Sequence, residues 1–243
     1  MKTLVVCSGG LDSVTLAHKV AREHSLHALI SFDYGQRHKK ELDFAANTAK
    51  ELGVRHHIVD LTSAGALLTG SSLTSDDVAV PDGHYAEETM RITVVPNRNA
   101  IMMSVAFGAA ASAGADRVAA AMHGGDHFIY PDCRPDFINA FQKMQNHALE
   151  GVAQVTLYTP YINATKADIA AEAGRLGVPI ERTWSCYKGE DVHCGRCGTC
   201  VERREALELA RVPDPTVYTD REYWKQARAE HTIRKMAAEA IQD

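Results

Sequence analysis

At 243 residues, with 45% hydrophobic and 23% charged side chains, the chain has room for one large α/β domain with an appendage and a sizeable core. It contains no run of the roughly 18 apolar residues that a membrane span needs, and the apolar stretch in "MKTLVVCSGG" is too short for a signal peptide, so a cytoplasmic protein is expected. A formal net charge of -5 excludes general electrostatic attraction to nucleic acid or to an anionic membrane, and the 12 histidines make that charge sensitive to pH.

In chain order, apolar runs at 3–8, 27–34, 56–61, 117–124 and 155–161 predict short strands. The stretches 12–24, 37–53, 97–115 and 135–151 between them carry apolar residues near a 3.6-residue spacing and predict helices. This alternation implies βαβ units, right-handed crossovers and a mostly parallel, doubly wound α/β sheet. Ligands of such sheets bind beyond the carboxyl ends of the strands, where Ser8, Asp33 and His123 would lie. The segment 61–93 is rich in Gly, Ser, Thr and Asp and too long for a connector, which predicts a mobile loop or lid. After Thr183 the rhythm ends. A cysteine cluster follows, then a short helix at 201–210 and a polar helix at 221–241 that opens with the aromatics Tyr223 and Trp224. The expected division is a nucleotide-binding domain at 1–182 and a metal-knuckle and helical region at 183–243.

The turn after the first strand, Ser8-Gly9-Gly10-Leu11-Asp12-Ser13, has the parts of an anion cradle. Adjacent glycines let backbone amides converge, Ser8 and Ser13 add hydroxyls, and the following helix contributes its positive end. It lacks the Gly-Lys-[Ser/Thr] ending of a Walker loop and does not fit G-x-G-x-x-G. Asp12 suits such a site if the phosphates arrive with Mg²⁺, and it also favours a first helical turn. The bland alternative is a glycine turn that only joins strand to helix.

Of the six cysteines, Cys186, Cys194, Cys197 and Cys200 are clustered, while Cys7 and Cys133 stand alone. Clustered cysteines in a reducing compartment read as metal ligands, and four thiolates suit one closed, tetrahedral structural Zn²⁺ per chain. An Fe–S cluster or redox chemistry is the competing use of four cysteines, and His193 is an alternative ligand.

Ser8–Ser13 resembles the pyrophosphate loop of the ATP-pyrophosphatase (PP-loop) superfamily, whose motif is SGGxDS. With "TWSCYKGEDVHCGRCGTCVERREA", "YPDCRPDF" and "VPNRN", the chain resembles the 7-cyano-7-deazaguanine synthase (QueC) family over nearly its whole length. The resemblance implies an adenine-nucleotide α-hydrolase-like fold with a C-terminal zinc-binding helical appendage, and a homodimer. It implies a ligase that makes the nitrile preQ0, a queuosine precursor, from 7-carboxy-7-deazaguanine, ammonia and ATP. The ATP would be held by Ser8, Gly9, Gly10, Leu11, Asp12 and Ser13 together with Asp33, Arg98 and Asn99. Asp12, Ser13 and Lys166 would be catalytic, and Asp132, Cys133 and Arg134 would face the deazaguanine. Cys133 is assigned packing or substrate shaping, since adenylation needs no covalent cysteine. The chain departs from the family pattern by carrying His123 and the bulky Phe128-Ile129 where an asparagine and a small Ser-Gly pair are usual.

Blander roles compete at several positions. Lys166, after the expected N-cap Thr165 with Asp168 three residues on, suits a phosphate or simply solvent. Arg98 and Asn99 suit helix capping, and Asp132 to Arg134 a rigid turn between two prolines. Two other functions compete: a related PP-loop amide-forming or tRNA-modifying ligase, against which the acidic balance stands, and a zinc-knuckle module offering Arg196, Arg203 and Arg204 to phosphates.

Overall fold

The computed structural model describes residues 1–75, 77–126 and 128–242, with the side chains at 87, 88, 126 and 238–242 left aside. Five strands form one wholly parallel sheet: β1 (Thr3–Val6), β2 (Leu26–Asp33), β3 (Arg55–Asp60), β4 (Arg117–Ala119) and β5 (Thr156–Tyr158). Their order in space is β3-β2-β1-β4-β5. The chain winds outward from β1 to one edge and then returns to build the other. The reversal therefore falls between β1 and β4, and a crevice opens beyond their carboxyl ends.

Alternation along the strands sends successive side chains to opposite layers. Leu4, Ala28, Ile30 and Val118 pack with α5 (Arg98–Ser112) and α6 (Pro135–Ala148) through Phe107, Ile138 and Phe141. Val5, Leu29 and Ala119 face the opposite layer, built by α1 (Leu11–Arg22), α2 (Glu41–Glu51), α7 (Lys166–Leu176) and α8 (Gly198–Leu209). Strands covered on both sides must read as continuous apolar runs, which is why "TLVV" and "ALISF" show no polar alternation.

β4 and β5 are shorter than the apolar runs at 117–124 and 155–161. The Ala120 amide donates to Tyr158 O (3.0 Å), after which the chain leaves the sheet, and Pro160 has no amide to extend β5. The segment 61–93, expected as a mobile lid, contains α3 (Thr62–Gly65) and α4 (Glu87–Met90) and is tied into the body. Ser71, Ser72, Leu73 and Thr93 are fully buried, and the Arg37 amide donates to Leu73 O (2.9 Å).

The C-terminal region packs against the sheet domain. Trp184 N donates to Gly9 O (2.8 Å), and Ala206 and Leu207 of α8 join the apolar layer of α1. The last helix, α9 (Tyr223–Gln242), docks Trp224 and Ala227 on Val201. Among the described residues no helix is long and apolar enough to cross a membrane.

Candidate active site

The turn after β1 is shaped by Gly9, whose φ of +79° lies in the left-handed region. A Cβ there would stand 2.2 Å from Glu41 O, so only glycine fits between β1 and the start of α2. No side chain caps α1, which leaves its first-turn amides facing the crevice. Ser13 Oγ accepts from Ser8 N (3.1 Å), donates to Gly10 O (3.2 Å) and lies 3.2 Å from Ser8 Oγ, holding the turn closed.

Asp12 projects from the first turn of α1 and meets Lys166 from the first turn of α7, Oδ2 to Nζ 2.5 Å. Thr165 and Asp168 cap α7 reciprocally, which fixes the helix start that carries Lys166. Lys166 also lies 3.5 Å from Glu202 of α8, and His123 Nε2 lies 3.7 Å from Asp12 Oδ2. His123 Nδ1 accepts from Gly125 N (3.1 Å), so in the neutral ring the proton sits on Nε2, toward Asp12. Burial pushes the Asp12 carboxyl up, but the charges of Lys166 and His123 outweigh it and hold the group below the usual carboxylate range. Its Oδ1 is buried without a hydrogen-bond partner among the described residues.

The same cavity continues to a wall of Tyr34, Arg98, Asn99, Tyr130 and Cys133. Arg98 donates to Tyr34 Oη (3.3 Å), and burial pushes that phenol up to about 12, keeping it neutral. Asn99 Nδ2 donates to Cys133 Sγ (3.2 Å). The structure thus brings Ser8, Gly10, Leu11, Asp12, Ser13, Arg98, Asn99, Cys133 and Lys166 to one cavity. Asp33, Asp132 and Arg134 do not line it. Asp33 bonds Lys39 (3.0 Å) and the Gly35 amide, and Asp132 accepts from Asn99 N (3.0 Å) at the start of α5.

Several lining residues escape the sequence reading. His38 and Glu41 sit in "RHKKEL", which resembles a solvated helix start, yet His38 is buried and Glu41 largely covered, both lining the cavity beside the Ser8–Ser13 turn. Burial pushes Glu41 up to about 8, and burial and the Arg98 and Arg37 charges take His38 down to about 3. Trp184, Ser185, Tyr187, Thr199 and Glu202 come from the cysteine-rich region, so that region forms part of the cavity wall. The nearness of Glu202 to Cys200 in sequence is the one signal that could have placed it.

The four sulfurs of Cys186, Cys194, Cys197 and Cys200 are buried and lie within 4.8 Å of one another. Thiolates arranged tetrahedrally at ~2.3 Å from a metal stand about 3.8 Å apart, and Cys194 Sγ to Cys200 Sγ is 3.9 Å. The amides of Arg196 and Cys197 both point at Cys194 Sγ (3.3 Å each), as partners of a thiolate should. Gly195 makes the turn: with φ +77°, a Cβ would meet Asp220 O at 1.8 Å. These residues fit a tetrahedral metal such as zinc. His193 is outside the set, its Nε2 accepting from Ser185 N (3.1 Å) with its ring against Trp184. The knuckle arginines are engaged internally. Arg196 bonds Asp82 and Asp220, Arg204 bonds Asp214, and fully buried Arg203 donates to Thr183, Ser185, Ile180 O and Thr216.

A family model described as "Queuosine biosynthesis protein QueC" matches residues 2–211. A 7-cyano-7-deazaguanine synthase from Sinorhizobium fredii is 67% identical over 97% of this chain and 100% of its own length. One of the same name from Brucella ovis is 69% identical over 93% of this chain and 97% of its own. Among solved structures, an NH3-dependent NAD synthetase from Campylobacter jejuni superposes with a TM-score of 0.44 at 17% identity, over 88% of this chain and 79% of that one.

Proposed function

The chain belongs to the QueC family of queuosine biosynthesis proteins, and from that membership we propose that it is a 7-cyano-7-deazaguanine synthase. It converts 7-carboxy-7-deazaguanine and ammonia to the nitrile preQ0, with ATP cleaved to AMP and diphosphate. The observation that carries this reading is the uncapped, glycine-opened start of α1 facing one cavity with the Asp12–Lys166 pair.

A carboxylate is a poor acylating agent and must first be activated. Its oxygen attacks the α-phosphorus of ATP, forming an acyl-adenylate and leaving diphosphate in the turn Ser8–Ser13. The amides of the first turn of α1 and the Ser8 hydroxyl donate to the leaving oxygens, and Ser13 holds the turn in shape. Lys166 places a fixed ammonium where negative charge accumulates. Mg²⁺ bound with ATP would neutralise phosphate charge, and Asp12 Oδ1, buried with no hydrogen-bond partner among the described residues, is the oxygen that would hold it. Ammonia displaces AMP to give an amide. A second adenylation, on the amide oxygen, lets AMP leave as the nitrile forms.

Tyr34, Arg98, Asn99 and Cys133 form the wall available to the nucleobases, and Cys186, Cys194, Cys197 and Cys200 would hold a Zn²⁺ that braces the residues closing the cavity. A homodimer belongs to the same reading.

The test is to supply the deazapurine acid, ammonium and ATP and to follow nucleotides and nitrile together. AMP formation that depends on the acid, with nitrile as product, is expected. ADP and phosphate as products, or AMP formation indifferent to the acid, overturns the reading.

A further inference from the structure

Three described carboxyl side chains line the cavity: Asp12, Glu41 and Glu202. Asp12 and Glu202 share one cation, Lys166, at 2.5 Å and 3.5 Å respectively. Glu41 has no lysine or arginine nitrogen within 4.0 Å among the described residues; its ion-pair neighbour is His38. Its side chain is 12% exposed. Oε1 accepts from Gln36 Nε2 (3.0 Å), and Oε2 lies 3.4 Å from His38 Nε2. Gln36 is itself fixed, donating to Phe32 O and accepting from Tyr34 N, and the His38 ring packs on Tyr187. The other titratable groups facing Glu41 are Cys7 at the end of β1, Tyr34 after β2 and Arg98 at the start of α5. Burial drives the carboxyl up to about 8, outweighing the Gln36 hydrogen bond and the Arg98 charge that draw it down, while neutral His38 brings no charge to oppose the shift. The result is a carboxyl in the cavity that exchanges a proton near neutral pH, unlike the cation-bound Asp12.

The reaction proposed above has a need that matches. Ammonia forms the C–N bond, the C–O bond to the adenylate breaks, and AMP leaves with that electron pair; the nitrogen then sheds a proton. After the amide oxygen is adenylated, two more N–H protons must go. The first N–H pair becomes the nitrogen lone pair of a neutral imidate. The second becomes the new C–N π bond as the C–O pair departs with AMP. We propose that Glu41 is the catalytic base that takes these nitrogen-bound protons, one per step and releasing each to water, with His38 and Gln36 as the positioning residues that aim it. This proposal rests on the synthase reading.

Ammonium's own ionisation is avoided by starting from the amide, 7-amido-7-deazaguanine, with ATP. Nitrile formation is followed between about pH 6 and 9 in the wild type, Glu41→Gln and Glu41→Asp. The wild-type kcat should rise with pH and level off beyond an inflection near 8. Glu41→Gln, which keeps the Gln36 bond, should lose about 100-fold or more in nitrile formation and lose the inflection. Exchange of labelled diphosphate into ATP, which reports adenylation alone, should fall far less. Glu41→Asp should restore the inflection at a reduced rate.

A Glu41→Gln enzyme that keeps the wild-type rate or inflection overturns the proposal, as does an equal loss in exchange and nitrile formation. If Glu41→Gln does not fold, Glu41→Asp decides, and a missing inflection there overturns it. A wild type that turns over neither acid nor amide sinks the synthase reading itself, a result distinct from any confined to the variants.

Discussion

Lys166 Nζ meets Asp12 Oδ2 at 2.5 Å, joining the first turns of two helices through residues 154 positions apart along the chain. The contact places an ammonium and a carboxylate where the positive ends of α1 and α7 converge on the sheet's switch point. Asp12 remains ionised through the neutral range because Lys166 and His123 outweigh the effect of burial. Asp12→Ala should therefore cut acid-dependent AMP formation by about 10²–10³-fold or more, the scale for removing one preorganised electrostatic group. The circular dichroism spectrum should be retained. Near-normal turnover would mean that the phosphates and their metal are held by other groups.

Gly9→Ala tests the turn without touching any charge. The added Cβ meets Glu41 O at 2.2 Å in a left-handed backbone, so either β1 and α2 separate or the turn rearranges. The strain alone costs about 1–3 kcal/mol, and the displaced amides should weaken ATP binding as well. A lower melting temperature together with a raised KM for ATP is the expected pair of results. A variant as stable and as active as the wild type would show that the turn is more plastic than its packing implies.

The buried pair His38 and Glu41 should also shape stability against pH. Glu41 is raised from 4.5 to about 8, so its contribution is complete below 4.5 and is lost as pH rises to 8. His38 is lowered from 6.5 to about 3, so its contribution is complete above 6.5 and is lost as pH falls toward 3. The two slopes oppose each other between 4.5 and 6.5, leaving a net decline from 6.5 to 8. Denaturant melts of the wild type and Glu41→Gln should differ by an amount that grows through that upper window, reaching a few kcal/mol at about the scale of one strongly shifted carboxyl. Parallel curves across the window would place the Glu41 proton outside it.

The parts of the site that are legible in the sequence are local. Ser8–Ser13 carries its geometry in adjacent residues, and Cys194, Cys197 and Cys200 carry theirs in a repeated spacing. Thr165 and Asp168 announced the start of α7 for the same reason. What depends on tertiary contact was not legible. Glu41 and His38 lie in "RHKKEL", whose charge suggests solvent, but the approach of Gly9 to Glu41 O buries that end of α2. Asp132 looks like a ligand in "YPDCRP", yet it turns to the Asn99 amide, while its neighbour Cys133 takes the cavity side. The segment 61–93 reads as loose because its residues are small and polar. Smallness is also what lets Ser71 and Ser72 disappear beneath the body of the protein.

The metal centre should matter to turnover as well as to folding, because the region that holds the sulfurs also supplies Trp184, Ser185, Tyr187, Thr199 and Glu202 to the cavity. Elemental analysis should find about one zinc per chain in a colourless protein if the four mutually close cysteine sulfurs form one closed tetrahedral zinc site. Visible absorption from iron would overturn the zinc assignment. Because the sulfurs are buried, a chelator should act slowly in buffer and quickly in mild denaturant. Removal should lower and broaden the melting transition, since metal binding contributes directly to folding free energy. Trp184 reports locally: its Nε1 donates to Cys186 O (2.9 Å), so its fluorescence should change as Cys186 is released. Activity should fall in step with that fluorescence and return with added Zn²⁺. Full activity in the metal-free protein would separate the knuckle from the cavity wall it builds.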